Sequence, residues 1–207
     1  MRMRLLITLA GVASVLCLGV AYAATVNGTE GEDSIIGTKG ADRIDGRGGL
    51  DTIFGLSGDD TLKGGAGGDS IQGDATCPPG TSDPNDCNQR RGTGDDTIQG
   101  NSGEDVIAGG AGSDRVSGGS GVDNLNGGSG RDRIVGGSAD DTLFGSSGND
   151  RLSGDSGADT LFGGSGRDLL LARDRRRDGI DCGSGRDTVS ADRRDRVARN
   201  CEVVRLR

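Results

Sequence analysis

Fifteen aspartates recur at the sixth position of a nine-residue unit, roughly Gly-Gly-x-Gly-x-Asp-x-(Ile/Leu/Val)-x, in this chain of 207 residues. The unit Gly109-Gly110-Ala111-Gly112-Ser113-Asp114-Arg115-Val116-Ser117 shows the pattern in full. A turn alone would accept Asn, Ser or Gly where the aspartate stands. An aspartate in all 15 units means that the carboxylate itself is required. Glycines at positions one, two and four supply a turn with positive φ and close backbone approach, leaving carbonyl oxygens free to point at one spot. The chain has no histidine. Carboxylate and carbonyl oxygens without imidazole or thiolate form a hard, flexible donor set. It suits calcium far better than zinc or copper, and better than magnesium with its stricter octahedron.

The repeat itself must position these aspartates. Eight units run uninterrupted over residues 100–171, and five more, sparser in glycine, over residues 28–72. A short fixed period marks a solenoid, in which no unit buries its own apolar face and stacked neighbours make one continuous core. Position eight is Ile, Leu or Val in all 15 units, whereas positions seven and nine accept Ser, Arg, Thr, Lys, Gln and Asn. This alternation puts the eighth side chain on the inward face of a short strand and its neighbours outside. The aliphatic column is the expected core, because 42 Gly, three Phe, one Tyr and no Trp cannot fill an ordinary globular one.

In the first tract Thr29, Thr38, Arg47 and Leu56 replace the second glycine, as in terminal repeats that cap a stack. Residues 74–91 break the pattern and hold Pro78, Pro79 and Pro84 near Cys77 and Cys87, which describes a surface loop. Units at Gly64 and Arg91 lie 27 residues apart, so the excursion replaces two units without losing phase. Residues 172–181 interrupt the repeats again with the charged run Arg173-Asp174-Arg175-Arg176-Arg177-Asp178, and one further unit begins at Cys182. The expected division is a leader (1–23), a first repeat tract (24–73), a Pro/Cys loop (74–91), a second tract (92–171) and a charged C-terminal cap with one further repeat (172–207).

Residues 1–23 read as a secretory signal peptide, with Arg2 and Arg4 before an apolar run and Ala21-Tyr22-Ala23 as a small-x-small cleavage site. A retained anchor is the competing reading, but the apolar run is short of a ~20-residue span. Cys17 belongs to the discarded segment. The even number of cysteines left in an exported chain predicts disulfides between neighbours, Cys77 with Cys87 and Cys182 with Cys201. Zinc is the alternative for four cysteines, although neither pair has Cys-x-x-Cys spacing. Without the leader the chain carries 22 basic and 32 acidic residues, a charge of −10. An acidic chain with almost no aromatics is a poor partner for nucleic acid, and its excess points to cations. Residues 173–207 reverse the balance with 11 basic and 7 acidic residues. This reads as a solvated cap pairing with its own aspartates, with anionic cell-surface polymer as the alternative partner.

With these nonapeptides the chain resembles the haemolysin-type, or repeats-in-toxin (RTX), calcium-binding family of secreted bacterial proteins; the nonapeptide is itself a known calcium-binding signature. The resemblance implies an all-β parallel β-roll with two nonapeptides per turn and several Ca2+ ions lying between loops stacked one turn apart. The implied ligands are the sixth-position residues Asp33, Asp42, Asp51, Asp60, Asp69, Asp96, Asp105, Asp114, Asp123, Asp132, Asp141, Asp150, Asp159, Asp168 and Asp187, with loop carbonyls. Ala139 departs from the pattern where the fourth-position glycine belongs. The N-terminal leader departs too, since many members leave by a C-terminal signal, and no toxin, protease or lipase domain is attached.

Three functional classes follow. A secreted structural or interaction module that calcium folds is the first. An enzyme is excluded by the absence of histidine and of a Gly-x-Ser-x-Gly elbow, with the carboxylates committed to repeats. An ice- or polysaccharide-binding face is the alternative, but position seven reads Ser34, Arg43, Thr52, Thr61, Ser70, Thr97, Val106 and Arg115, with no regular threonine ladder.

Overall fold

The computed structural model describes residues 23–74 and 93–206, all of them strand or turn, with no helix. Each unit contributes one short strand with its eighth residue pointing inward and the seventh and ninth outward. In Arg133–Ser138 burial alternates in this way around Ile134. Successive strands join opposite sheets, ten in one and nine in the other, and every pairing is parallel. Partners stand 18 residues apart, as in Asn124↔Thr142 and Arg133↔Arg151. Two nonapeptides therefore complete one turn, and the molecule is the parallel β-roll that the repeats imply.

Between the sheets the eighth-position residues form two facing columns. Ile53, Ile71, Leu125, Leu143 and Leu161 come from one sheet and Ile44, Leu62, Ile134, Leu152 and Leu170 from the other, all 0–1% exposed. Burying each such side chain contributes ~1.5–3 kcal/mol. The core is two side chains wide, so the regular loops that join the sheets share one length, and each carries its aspartate to the equivalent height in its turn.

The phase expected across the proline loop is kept. Thr61 pairs with Thr97 and Ser70 with Val106, a separation of 36 residues, so the turns on either side stack directly. Cys77 and Cys87, with the disulfide expected between them, lie outside the described residues, as do residues 1–22 of the leader.

The interruption expected at 172–181 does not interrupt the solenoid. A strand spans Gly179–Gly185, Ile180 joins the core column, and the registers Thr160↔Gly179 and Leu169↔Thr188 are 19 residues, one more than the 18 of the regular turns. The turn before Asp178 absorbs the extra residue, with Arg175 at φ 75°. Strands at Thr188–Ala191, Arg196–Val197 and Val203–Leu206 extend both sheets, and Cys182 is bonded to Cys201 as expected, with Cα atoms 5.2 Å apart.

The three repeat glycines divide their labour. In regular units positions two and four take positive φ, as at Gly128 (105°) and Gly130 (135°), while position-one glycines such as Gly109 and Gly127 are not among the positive-φ residues. At position one a side chain would strike the neighbouring turn, as described below. Ala139 stands at position four with φ 89°, where alanine is strained. Replacing Ala139 by Gly is expected to stabilise the protein by about 1 kcal/mol, or about 2–4 °C in melting temperature for a domain of this size. Thermal unfolding in saturating calcium measures it, and an unchanged or lower midpoint would show that the strain is relieved elsewhere.

Candidate metal centre

All fifteen sixth-position aspartates are buried, each at most 4% exposed. They stack in two columns, one along each edge of the roll where a loop enters its strand. Within a column the backbone N–H of each aspartate donates to Oδ1 of the aspartate one turn later: Asp96 to Asp114 (2.8 Å), Asp114 to Asp132 (2.9 Å) and Asp132 to Asp150 (2.9 Å). The first column starts at the N–H of Ala24, which donates to Asp42 (2.6 Å), and ends where Asp187 donates to Glu202 Oε2 (2.9 Å). The second starts at Asp33 and ends where Asp178 donates to Asp195 Oδ1 (3.2 Å).

From Asp51 on, each Oδ1 is thus used by the fold, and the other oxygen is not. Oδ2 is buried without a hydrogen-bond partner in Asp51, Asp60, Asp69, in every later member through Asp168, and in Asp187. In the regular loops this oxygen points back toward the first-position glycine of its own unit. At Gly163 a Cβ atom would stand 2.5 Å from the carbonyl oxygen of Cys182 in the next turn and 2.8 Å from Asp168 Oδ2. At Gly109 a Cβ would overlap Asp114 Oδ2 and lie 2.6 Å from the Gly127 carbonyl oxygen. A carboxylate oxygen and a carbonyl oxygen from the adjoining turn therefore border one small space beside each of these glycines, and only glycine leaves it open.

A buried carboxylate with one unpaired oxygen is costly as an anion. Burial, helped by the like charges of column neighbours, pushes Asp51, Asp69 and Asp105 up to about 6, Asp96, Asp114, Asp141 and Asp150 to about 7, and Asp60 to about 8. Such a group is satisfied either by a proton or by a cation. Among the described residues no three Asp, Glu, His or Cys side chains gather around a single point. A cation here would draw on carboxylate oxygens one turn at a time and on backbone carbonyls, the hard-oxygen set that fits calcium.

The sequence-derived aspartates do not all sit alike. Asp33 and Asp42 have Oδ2 occupied by the backbone N–H of Thr29 and Thr38. At Asp187 the first position of the unit is Cys182, buried and disulfide-bonded, so no glycine leaves space there. One member escapes a nine-residue count: Asp178 is 1% exposed, and its Oδ1 accepts the N–H of Asp159 (2.9 Å). Its only sequence signal is the Asp178-Gly179-Ile180 triplet, which keeps the Asp-x-Ile spacing.

Comparison with protein families returns a match. The model described as the RTX calcium-binding nonapeptide repeat (4 copies) matches residues 19–53, 27–62, 54–75, 92–125, 117–152 and 135–170. A comparison with curated proteins finds no match.

Proposed function

The chain belongs to the RTX calcium-binding nonapeptide repeat family, and from that premise we propose an exported β-roll whose folding is driven by calcium held along its two aspartate columns. The observation that carries this reading is the unpartnered, buried Oδ2 facing a glycine-lined space, repeated from Asp51 to Asp168. In these loops Oδ2 and the carbonyl oxygens of the adjoining turn would hold the ion, Oδ1 keeps the turns in register, and the first-position glycine keeps the space clear. When bound, calcium supplies the positive charge that stacked carboxylates lack. Export is supported by the leader-like residues 1–23 and by a disulfide between Cys182 and Cys201, which forms in oxidising compartments. The roll then serves as a structural or interaction module outside the cell.

Asp114→Asn tests the ligand assignment. The variant keeps shape and the Oδ1 acceptor but lacks the anionic Oδ2. Calcium titration calorimetry with circular dichroism as fold readout is expected to show at least one ion fewer per chain than the unaltered protein. An unchanged count in a folded variant would remove Asp114 from the ligand set.

A further inference from the structure

The first two loops of the roll carry the aspartate but not its vacant oxygen. Thr29 donates to Asp33 Oδ2 through both its backbone N–H and its hydroxyl, the latter at 3.1 Å. Thr38 donates to Asp42 in the same two ways, N–H to Oδ2 and hydroxyl to Oδ1 at 3.0 Å, and the N–H of Ala24 adds a third donor at 2.6 Å. Neither oxygen of Asp42 is left unpartnered, and for Asp33 the free oxygen is Oδ1, the one that in later turns accepts a preceding amide. The difference lies at position two of the unit. From the third unit on, this residue, wherever it is described, takes positive φ even when it is not glycine, as at Arg47 (80°) and Leu56 (88°), and the N–H of Leu56 is turned away from its aspartate to the Gly73 carbonyl (2.9 Å). Thr29 and Thr38 are not among the positive-φ residues. Their N–H turns inward instead, and each threonine hydroxyl also accepts the N–H of the glycine two residues on, Gly31 (3.1 Å) and Gly40 (3.2 Å).

Resting on the calcium reading above, we propose that Asp33 and Asp42 are not calcium ligands: Thr29 and Thr38 take the ion's place, making the first turn a metal-independent cap. The cation array starts at Asp51. Such a cap suits the end of a stack. The next turn does reach these loops, with the Gly46 and Gly55 carbonyl oxygens beside Gly28 and Gly37, so it is the threonine donors and not a missing neighbour that close them.

Three full-length variants, Asp33→Asn, Asp42→Asn and Asp60→Asn, test this by equilibrium dialysis at saturating calcium, each first checked for a β spectrum by circular dichroism. Asp60 follows Asp42 in the same column with its Oδ2 free. The expected result is at least one ion fewer for Asp60→Asn and the unaltered count for Asp33→Asn and Asp42→Asn. A fall in Asp42→Asn matching that in Asp60→Asn would overturn the cap and leave the ligand reading standing. An unaltered count in all three would overturn the ligand reading, and the distinction between first and later loops with it. Should Asp42→Asn fail to fold, Asp33→Asn in the outermost loop decides between the same outcomes.

Discussion

Stripped of calcium at pH 8, with Cys182–Cys201 reduced, this chain will show the far-ultraviolet circular dichroism of an unfolded polypeptide, and millimolar calcium will restore a β spectrum. The reasoning starts from the spacing of the columns. Aspartates on successive turns are about one strand spacing apart, ~4.8 Å, where two charges repel by ~0.9 kcal/mol even in water and by more where water is excluded. From Asp51 to Asp168 Oδ1 of each column member has one amide donor and Oδ2 has none. Summed down both columns, the repulsion reaches the ~5–15 kcal/mol that is the whole net stability of an ordinary domain. The burial energy of the two-residue-wide aliphatic core is already offset by the cost of ordering the chain, ~1.5 kcal/mol per residue, and so leaves little to set against it. If free calcium exceeds the dissociation constant tenfold, each site adds ~1.4 kcal/mol, so around ten sites decide the equilibrium. A full β spectrum surviving in excess chelator would show that the core and the hydrogen-bonded columns suffice alone.

Acid should do part of calcium's work. In the metal-free fold the column carboxyls lie well above their ordinary value of 3.8, Asp51 at about 6, Asp96 and Asp114 at about 7 and Asp60 at about 8, burial being the main cause. The folded chain therefore binds more protons than the unfolded one between roughly pH 4 and 8, and stability falls as pH rises through that window. The contribution is fully present below about pH 4 and is lost by about pH 8. Protein freed of calcium on a chelating resin should thus show more β structure and a higher melting temperature at pH 4.5 than at pH 8. The calcium needed for half-maximal folding should rise as pH is lowered from 7 to 5, because protons compete for the same oxygens. Equal metal-free spectra at pH 4.5 and 8 would mean that the columns ionise freely in the fold.

Much of this architecture could be read from residue spacing. The sixth-position aspartates and eighth-position aliphatics became the two buried columns because both depend on period alone, and the phase across the proline loop survived because Thr61 and Thr97 are separated by whole turns. What escaped depends on contacts between turns. Asp178 arrives ten residues after Asp168, so a nine-residue count passes over it, yet the stack places it correctly because pairing with the preceding turn, not chain length, sets its height. Thr29 and Thr38 looked like eroded glycines, and only the direction of their N–H groups shows that they occupy the carboxylates. The three repeat glycines likewise looked equivalent. That the first is needed for clearance and the others for φ is a property of the neighbouring turn.

The amide of Ala24, donor to Asp42 at the foot of the first column, is also the nitrogen that cleavage after Ala23 would free. Joined to the leader it is neutral. Once cut, it becomes an α-ammonium at neutral pH, and the lowest carboxylate of the column acquires a counter-charge that belongs to the chain itself. Cut and uncut chains would then differ by about one unit of charge at the point where the stack begins. A processing event at the membrane would in that way be recorded in the electrostatics of the first rung.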